Sequence, residues 1–158
     1  MTRLDTVDAA LLAALQQEGR LSNTDLADRV GLSASACHRR VRALEASGLI
    51  KGYVALLDAE RLGRGLTVIV LATLENQRRD TLEAFERAVA EIEEVMECHL
   101  TTGAEDYLLR LQVRDARDYE RVHRERLSGL PGLARLVSNI AMRTVFARTA
   151  LPLDAPAR

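Results

Sequence analysis

The chain has 158 residues, 47% hydrophobic and 28% charged, which fits one ordinary globular domain or two small ones and excludes a disordered chain. With 22 basic against 23 acidic residues the formal net charge is −1, so no global cationic field holds a polyanion and any nucleic-acid site must be local. The longest apolar run, LTVIVLATL at 66–74, is far short of the roughly 18 residues that span a bilayer, MTRLDTVDAA lacks a secretory apolar core, and two widely separated cysteines make no disulfide framework; together these predict a cytoplasmic protein with no membrane contact.

In chain order, DTVDAALLAALQQEG opens with acids suited to a helix start, sets Val7, Leu11 and Leu15 at helical spacing, and stops at Gly19. SNTDLADRVG follows, with Ser22 and Asp25 as a capping-box-like pair, Leu26 and Val30 as its apolar side, and Gly31 at the left-handed position after the helix. Only Gly31 and Leu32 separate it from SASACHRRVRALE, capped by Ser33. Two short helices joined by a tight glycine-containing turn, behind a longer helix, make a helix-turn-helix pattern whose second helix enters the DNA major groove.

On that third helix, about 100° per residue places Cys37, Val41 and Leu44 on one stripe and Ser35, Arg39 and Arg42 on the opposite face. His38 falls on one flank and Arg40 on the other, nearer the buried edge, as a phosphate or intramolecular contact. Ser33, Ser35, His38, Arg39, Arg40 and Arg42 are therefore the expected DNA-binding set on double-stranded DNA, with Arg39 and Arg42 approaching base edges or flanking phosphates.

After Gly48, LIKGYVALLD reads as an extended segment and DAERLGRG as a hinge. LTVIVLATLE is a strand, TLEAFERAVAEI a helix with Leu82, Phe85, Val89 and Ile92 on one face, and VMECHLTT and DYLLRLQV two paired strands around Gly103-Ala104-Glu105. DARDYERVHRERLSGL is a second amphipathic helix ended by Pro131-Gly132, and LVSNIAMRTVF a last strand. The predicted fold class is thus α+β: an N-terminal helix-turn-helix (winged-helix-like) domain at 1–52, a linker at 53–65, a ferredoxin-like βαββαβ domain at 66–149, and a tail at 150–158.

The first strand is apolar on both faces, Val68, Val70 and Leu74 on one and Ile69 and Leu71 on the other. Two helices cover one face, so a second copy of the chain is the expected cover for the other, with a segment of the same chain as the alternative. The dipeptides Cys37-His38 and Cys98-His99 place neighbouring side chains on diverging directions that cannot share one ion, so no metal site is expected and both cysteines read as core residues. No phosphate loop, HExxH or GxSxG occurs.

The run LDTVDAALLAALQQEGRLSNTDLADRVGLSASACHRRVRALEASGLIKGYVALLDAERLG, with TTGAEDYLLRL and LPGLARLVSNIAMRTV, resembles the Lrp/AsnC (feast/famine) transcriptional regulators over nearly the whole chain, up to about Thr149. The resemblance implies sequence-specific DNA binding, dimers built through the sheets, rings of dimers such as octamers, and a small amino acid or related metabolite bound between subunits, with no other cofactor. The family's loop pattern of glycine, two variable residues, aspartate and an aromatic falls on Gly103, Ala104, Glu105, Asp106 and Tyr107, preceded by Thr102. Asn139, Ile140 and Ala141 match the family's last-strand positions near the ligand, although many relatives carry an apolar or aromatic residue where Asn139 stands. Backbone amides near Gly103 suit a ligand carboxylate and Asp106 its ammonium, whereas a plain hairpin turn would use the same aspartate locally. Sirohaem decarboxylases look similar in layout, and an enzyme of that kind would draw on His99 and Arg110; the third helix with its exposed arginines speaks for a regulator instead. A metabolite sensor acting through protein partners is the remaining alternative.

Overall fold

In the computed structural model, which describes residues 4–153, each of the first three helices starts on a side-chain cap. Asp5 accepts the Asp8 N–H at 2.7 Å to begin α1 (Thr6–Gln17). Ser22 accepts the Asp25 N–H at 3.1 Å and donates to the Asp25 carboxylate at 2.6 Å to begin α2 (Asn23–Val30). Ser33 accepts the Ala36 N–H at 3.3 Å to begin α3 (Ala34–Ala46). Gly31 closes α2 at φ +69°, where a side chain would be strained, and the Leu32 N–H returns to the Ala27 carbonyl at 3.0 Å. Leu11, Leu12, Leu26, Cys37, Val41 and Leu44 meet in one core, so the anticipated apolar stripe of the third helix is the buried one.

Within LIKGYVALLD (49–58), read as an extended segment, residues 51–58 carry neither helix nor strand. The chain divides into two compact units, Leu57–Val145 and the residues up to Leu56 joined by the stretch from Phe146 onward. Within the first unit, the Gln16 side-chain amide donates to the Leu151 carbonyl at 3.1 Å and accepts the Leu151 N–H at 2.6 Å, and Leu153 packs against the helical core. This differs from the sequence division, which ran the sheet domain to 149. The last strand also stops earlier than MRTVF suggests: the Ala141 N–H still bonds the Thr67 carbonyl of β1 at 3.0 Å, residues from Met142 carry no strand, and the stretch from Phe146 joins the helices.

The second unit has the anticipated βαββαβ order: β1 (Leu66–Leu74), α4 (Arg79–Ala90), β2 (Val95–Leu100), β3 (Tyr107–Val113), α5 (Ala116–Val122) with a π-helical turn at His123–Leu127, and β4 (Leu133–Ile140). The antiparallel sheet runs β2-β3-β1-β4, so β1 and β3 are central. Their alternate residues Val68, Val70, Ala72 and Leu74, and Tyr107, Leu109, Leu111 and Val113, are buried with Phe85 and Val89 of α4, Ile92 just beyond it, and Val122 and Leu127 of α5 and its π-helical turn. Phe85 and Tyr107 stack with ring centroids 4.6 Å apart. The opposite face carries Val137, Leu71, Leu108 and His99 in one row across the strands, and Asn139, Ile69, Arg110 and Glu97 in the next. Among the described residues no helix is long and apolar enough to cross a membrane.

Candidate functional site

Two separate constellations stand out, one on each unit. On the helical unit, burial of Cys37, Val41 and Leu44 turns Ser35, Arg39 and Arg42 outward together. Arg39 makes no ion pair among the described residues, and Arg42, with 72% of its side chain exposed, lies only loosely at 3.9 Å from Glu45. Ser35 sits 3.3 Å from the Ser33 hydroxyl, which already serves as the cap. His38 is exposed on the flank, with Nδ1 3.2 Å from the Asn23 side-chain nitrogen.

Arg40 behaves differently from its neighbours. Its Nη1 lies 2.7 Å from the Asp5 carboxylate and 2.8 Å from that of Asp8, across from α3 to the start of α1. Hydrogen bonding first to Asp5 and then to Asp8 raises the Arg40 pKa; the Asp8 N–H first, and then Arg40, lowers that of Asp5. A guanidinium held by two carboxylates has no net positive charge to offer a phosphate, which takes Arg40 out of the DNA-contacting group expected from the sequence and leaves its intramolecular alternative. The signal was available only in three dimensions, because Asp5 and Asp8 precede it by a whole helix-turn-helix.

On the sheet unit, the loop after β2 carries exposed Thr102, Gly103 and Ala104. Asp106 is 7% exposed, and both its carboxylate oxygens are engaged: one accepts the Leu74 N–H at 2.7 Å and the other the Gln77 amide at 2.6 Å. The Asp106 N–H bonds the Ala72 carbonyl and its own carbonyl accepts the Thr101 N–H. Asp106 is therefore the anchor of the loop, not a free acid awaiting an ammonium group. Tyr107 is buried, its hydroxyl donating to Glu86 at 2.8 Å, and burial first and then Glu86 push its pKa up. Glu105 is the half-buried acid left in the loop, 3.7 Å from Arg135 of β4.

Asn139, Ile140 and Ala141 do not face this loop within one chain. Asn139 pairs with Ile69 and Ile140 with Val68, while the loop ends beside Ala72, three residues further along β1 and on its other side. That is roughly 10 Å along the strand, with β1 between the two groups. Cys37 is buried as expected; Cys98 is not a core residue but lies exposed on the edge strand β2. Arg110 grips Glu97 through Nε at 2.9 Å and Nη2 at 2.6 Å, and His99 stands 3.4 Å from the same carboxylate.

The Lrp/AsnC ligand binding domain matches residues 67–151, and a winged helix-turn-helix DNA-binding domain matches residues 4–51. The chain is 42% identical to the Bkd operon transcriptional regulator of Pseudomonas aeruginosa over 97% of its length and all of that protein. It is 43% identical to the leucine-responsive regulatory protein of Escherichia coli K12, covering 90% of this chain and 87% of that one. Among solved structures, a transcriptional regulator of Neisseria meningitidis in complex with L-methionine superposes with a TM-score of 0.91 at 33% identity, over 96% of this chain and 98% of that one. An AsnC family regulator from Agrobacterium tumefaciens gives 0.90 at 33% identity, over 94% and 97%.

Proposed function

Because this chain belongs to the Lrp/AsnC family of transcriptional regulators, we propose that Ser35, Arg39 and Arg42 read its operator and that an amino acid bound between subunits tunes that binding. The observation that carries the DNA reading is the division of labour on α3: Arg40 is neutralised within the chain, while Arg39 and Arg42 project together from the exposed face. Guanidinium forks at that position suit guanine edges or phosphates in the major groove. A fluorescence titration of operator DNA at one fixed salt concentration tests it. Arg39→Ala and Arg42→Ala should each weaken binding by about 1–3 kcal/mol where the side chain reads a base, and unchanged affinity in both variants excludes the assignment.

The effector reading is supported by the separation of its two groups. Thr102–Glu105 and Asn139–Ala141 lie on opposite sides of β1, so a ligand touching both bridges two chains. Amides around Gly103 suit the carboxylate, and Glu105, with Asp106 already engaged, suits the ammonium. The solved relative bound to L-methionine makes a small amino acid the natural first probe. A thermal-shift screen over the twenty amino acids tests this, since a ligand of the folded form raises apparent stability by mass action.

The apolar row Val137, Leu71 and Leu108 supports association of sheet faces between two copies, which links two α3 helices in one particle for a DNA duplex. A cytoplasmic regulator fits this better than a decarboxylase. The acid–base candidates His99 and Arg110 converge on Glu97, and the two-nitrogen grip on Arg110 leaves that guanidinium already paired.

A further inference from the structure

The chain reverses directly behind the reading helix. The N–H of Gly48, which stands at φ +75°, bonds the Glu45 carbonyl at 3.0 Å, the Ile50 N–H reaches the Leu44 carbonyl at 3.3 Å, and the Ile50 side chain packs on the helical core. This turn carries Tyr53 back along the flank of α3. Its ring lies against the connection between α1 and α2, where a Cβ on Gly19 would stand 3.6 Å from Tyr53 Cδ1, and its hydroxyl donates to Glu45 Oε1 at 3.2 Å. Burial first, and then Glu45, raise the Tyr53 pKa, so the hydroxyl keeps its proton and remains a donor. Arg42, Glu45 and Tyr53, together with Asn23 and His38, line an open cleft of about 330 Å³ on this flank.

Arg42 and Glu45 stand one turn apart on α3, a spacing at which opposite charges close into a direct ion pair. Here they stay apart. Arg42 Nη1 is 3.9 Å from Glu45 Oε2, beyond hydrogen-bond distance, and among the described residues the Glu45 carboxylate takes its one hydrogen bond from Tyr53. We propose that Tyr53 is a positioning residue for DNA reading: its hydroxyl holds the Glu45 carboxylate off Arg42 and so leaves that guanidinium free for the major groove. The proposal rests on the reading of Arg42 given above. A carboxylate closed on Arg42 would occupy the N–H fork that a guanine edge or a phosphate needs, as Asp5 and Asp8 do to Arg40 on the other flank. The third helix thus carries one arginine masked by acids and another kept from masking by a hydroxyl.

Tyr53→Phe keeps the ring against Gly19 and removes only the donor. Titrated against operator DNA by fluorescence at one salt concentration, the full-length variant should bind about two- to fivefold more weakly, the range an exposed ion pair commands, with its melting temperature nearly unchanged. Discrimination should fall in parallel at the base pair whose substitution Arg42→Ala no longer senses. Glu45→Gln cannot form the ion pair, so in that background Tyr53→Phe should have no effect, and in an Arg42→Ala background it should likewise have none. A loss of the same size in all three backgrounds overturns the proposal and makes the hydroxyl a direct phosphate contact or a support of the fold. Full operator affinity in Tyr53→Phe alone overturns it too. Failure of the underlying reading looks different: Arg42→Ala then binds the operator as tightly as the wild type and the proposal falls with it, whereas failure of the positioning role by itself leaves Arg42→Ala weak.

Discussion

Glu105 and Asp106 are adjacent acids with opposite duties. Asp106 is closed in by the Leu74 N–H and Gln77, whereas Glu105 keeps part of its surface open beside Arg135. Replacing Asp106 by alanine leaves a buried N–H without an acceptor, so melting of the protein should show a loss on the order of 1–3 kcal/mol, with effector binding lost as a consequence. Glu105→Gln should leave stability within about 0.5 kcal/mol and reduce only the ligand-induced thermal shift. Equal destabilisation by the two changes contradicts the division. The sequence marks this loop as an acidic turn, but which N–H a carboxylate meets depends on β1, more than thirty positions upstream, and no local pattern encodes that. Asp118 shows the same dependence on context. The Arg114 side chain and then its backbone N–H hold the Asp118 carboxyl well below the usual carboxylate range, and Arg121 lies 2.9 Å away. A depressed folded-state pKa gives stability that is present above the unfolded value of about 3.9 and lost as pH falls below it. Acid titration of melting temperature should therefore fall less steeply below pH 4 in Asp118→Asn than in the wild type.

At the scale of elements, the helix-turn-helix was the most legible part because its signals are local: caps at Ser22 and Ser33, a left-handed glycine between them, and apolar spacing that one wheel resolves. Gly31 tests that claim. A Cβ there would meet nothing within 4 Å, so Gly31→Ala should cost about 1–2 kcal/mol from backbone conformation alone, with no packing defect. A calorimetric loss near zero means that the turn can relax to a negative φ. The last strand was less legible. The alternation of MRTVF is the same whether the segment pairs with β1 or leaves it, and Phe146 and Val145 are both exposed. The π-helical turn at His123–Leu127 does mark the apolar period: Val122 and Leu127 both reach the core five positions apart, a spacing that an α-helix would put on different faces. Cys98 was misplaced for a related reason: it points to the helix-covered face, but at the sheet's edge that face is only partly roofed.

At the scale of the molecule, a near-neutral chain must bind a polyanion through a few exposed cations. One α3 covers only a few base pairs, and helix-turn-helix dimers meet half-sites roughly 34 Å apart. Two linked reading helices raise the effective concentration of the second contact and can tighten binding by about 10²–10⁴ without any new interaction. The open sheet face, with Leu71 between Leu108 and Val137, is the surface expected to supply that link. Leu71→Arg in the intact chain should place a charge in this apolar row, lower the solution mass, and weaken operator binding by at least about tenfold at constant salt. Loss of affinity alone could mean a damaged fold, so the same variant carrying an unrelated dimerisation helix at its C-terminus should recover most of the lost affinity. Single-site binding to a half-operator should be unaffected throughout, because Arg39 and Arg42 belong to the other unit. If the dissociated variant binds the full operator as tightly as the wild type, avidity is not what the sheet unit contributes, and a nearly neutral chain must be gaining its affinity from one reading helix.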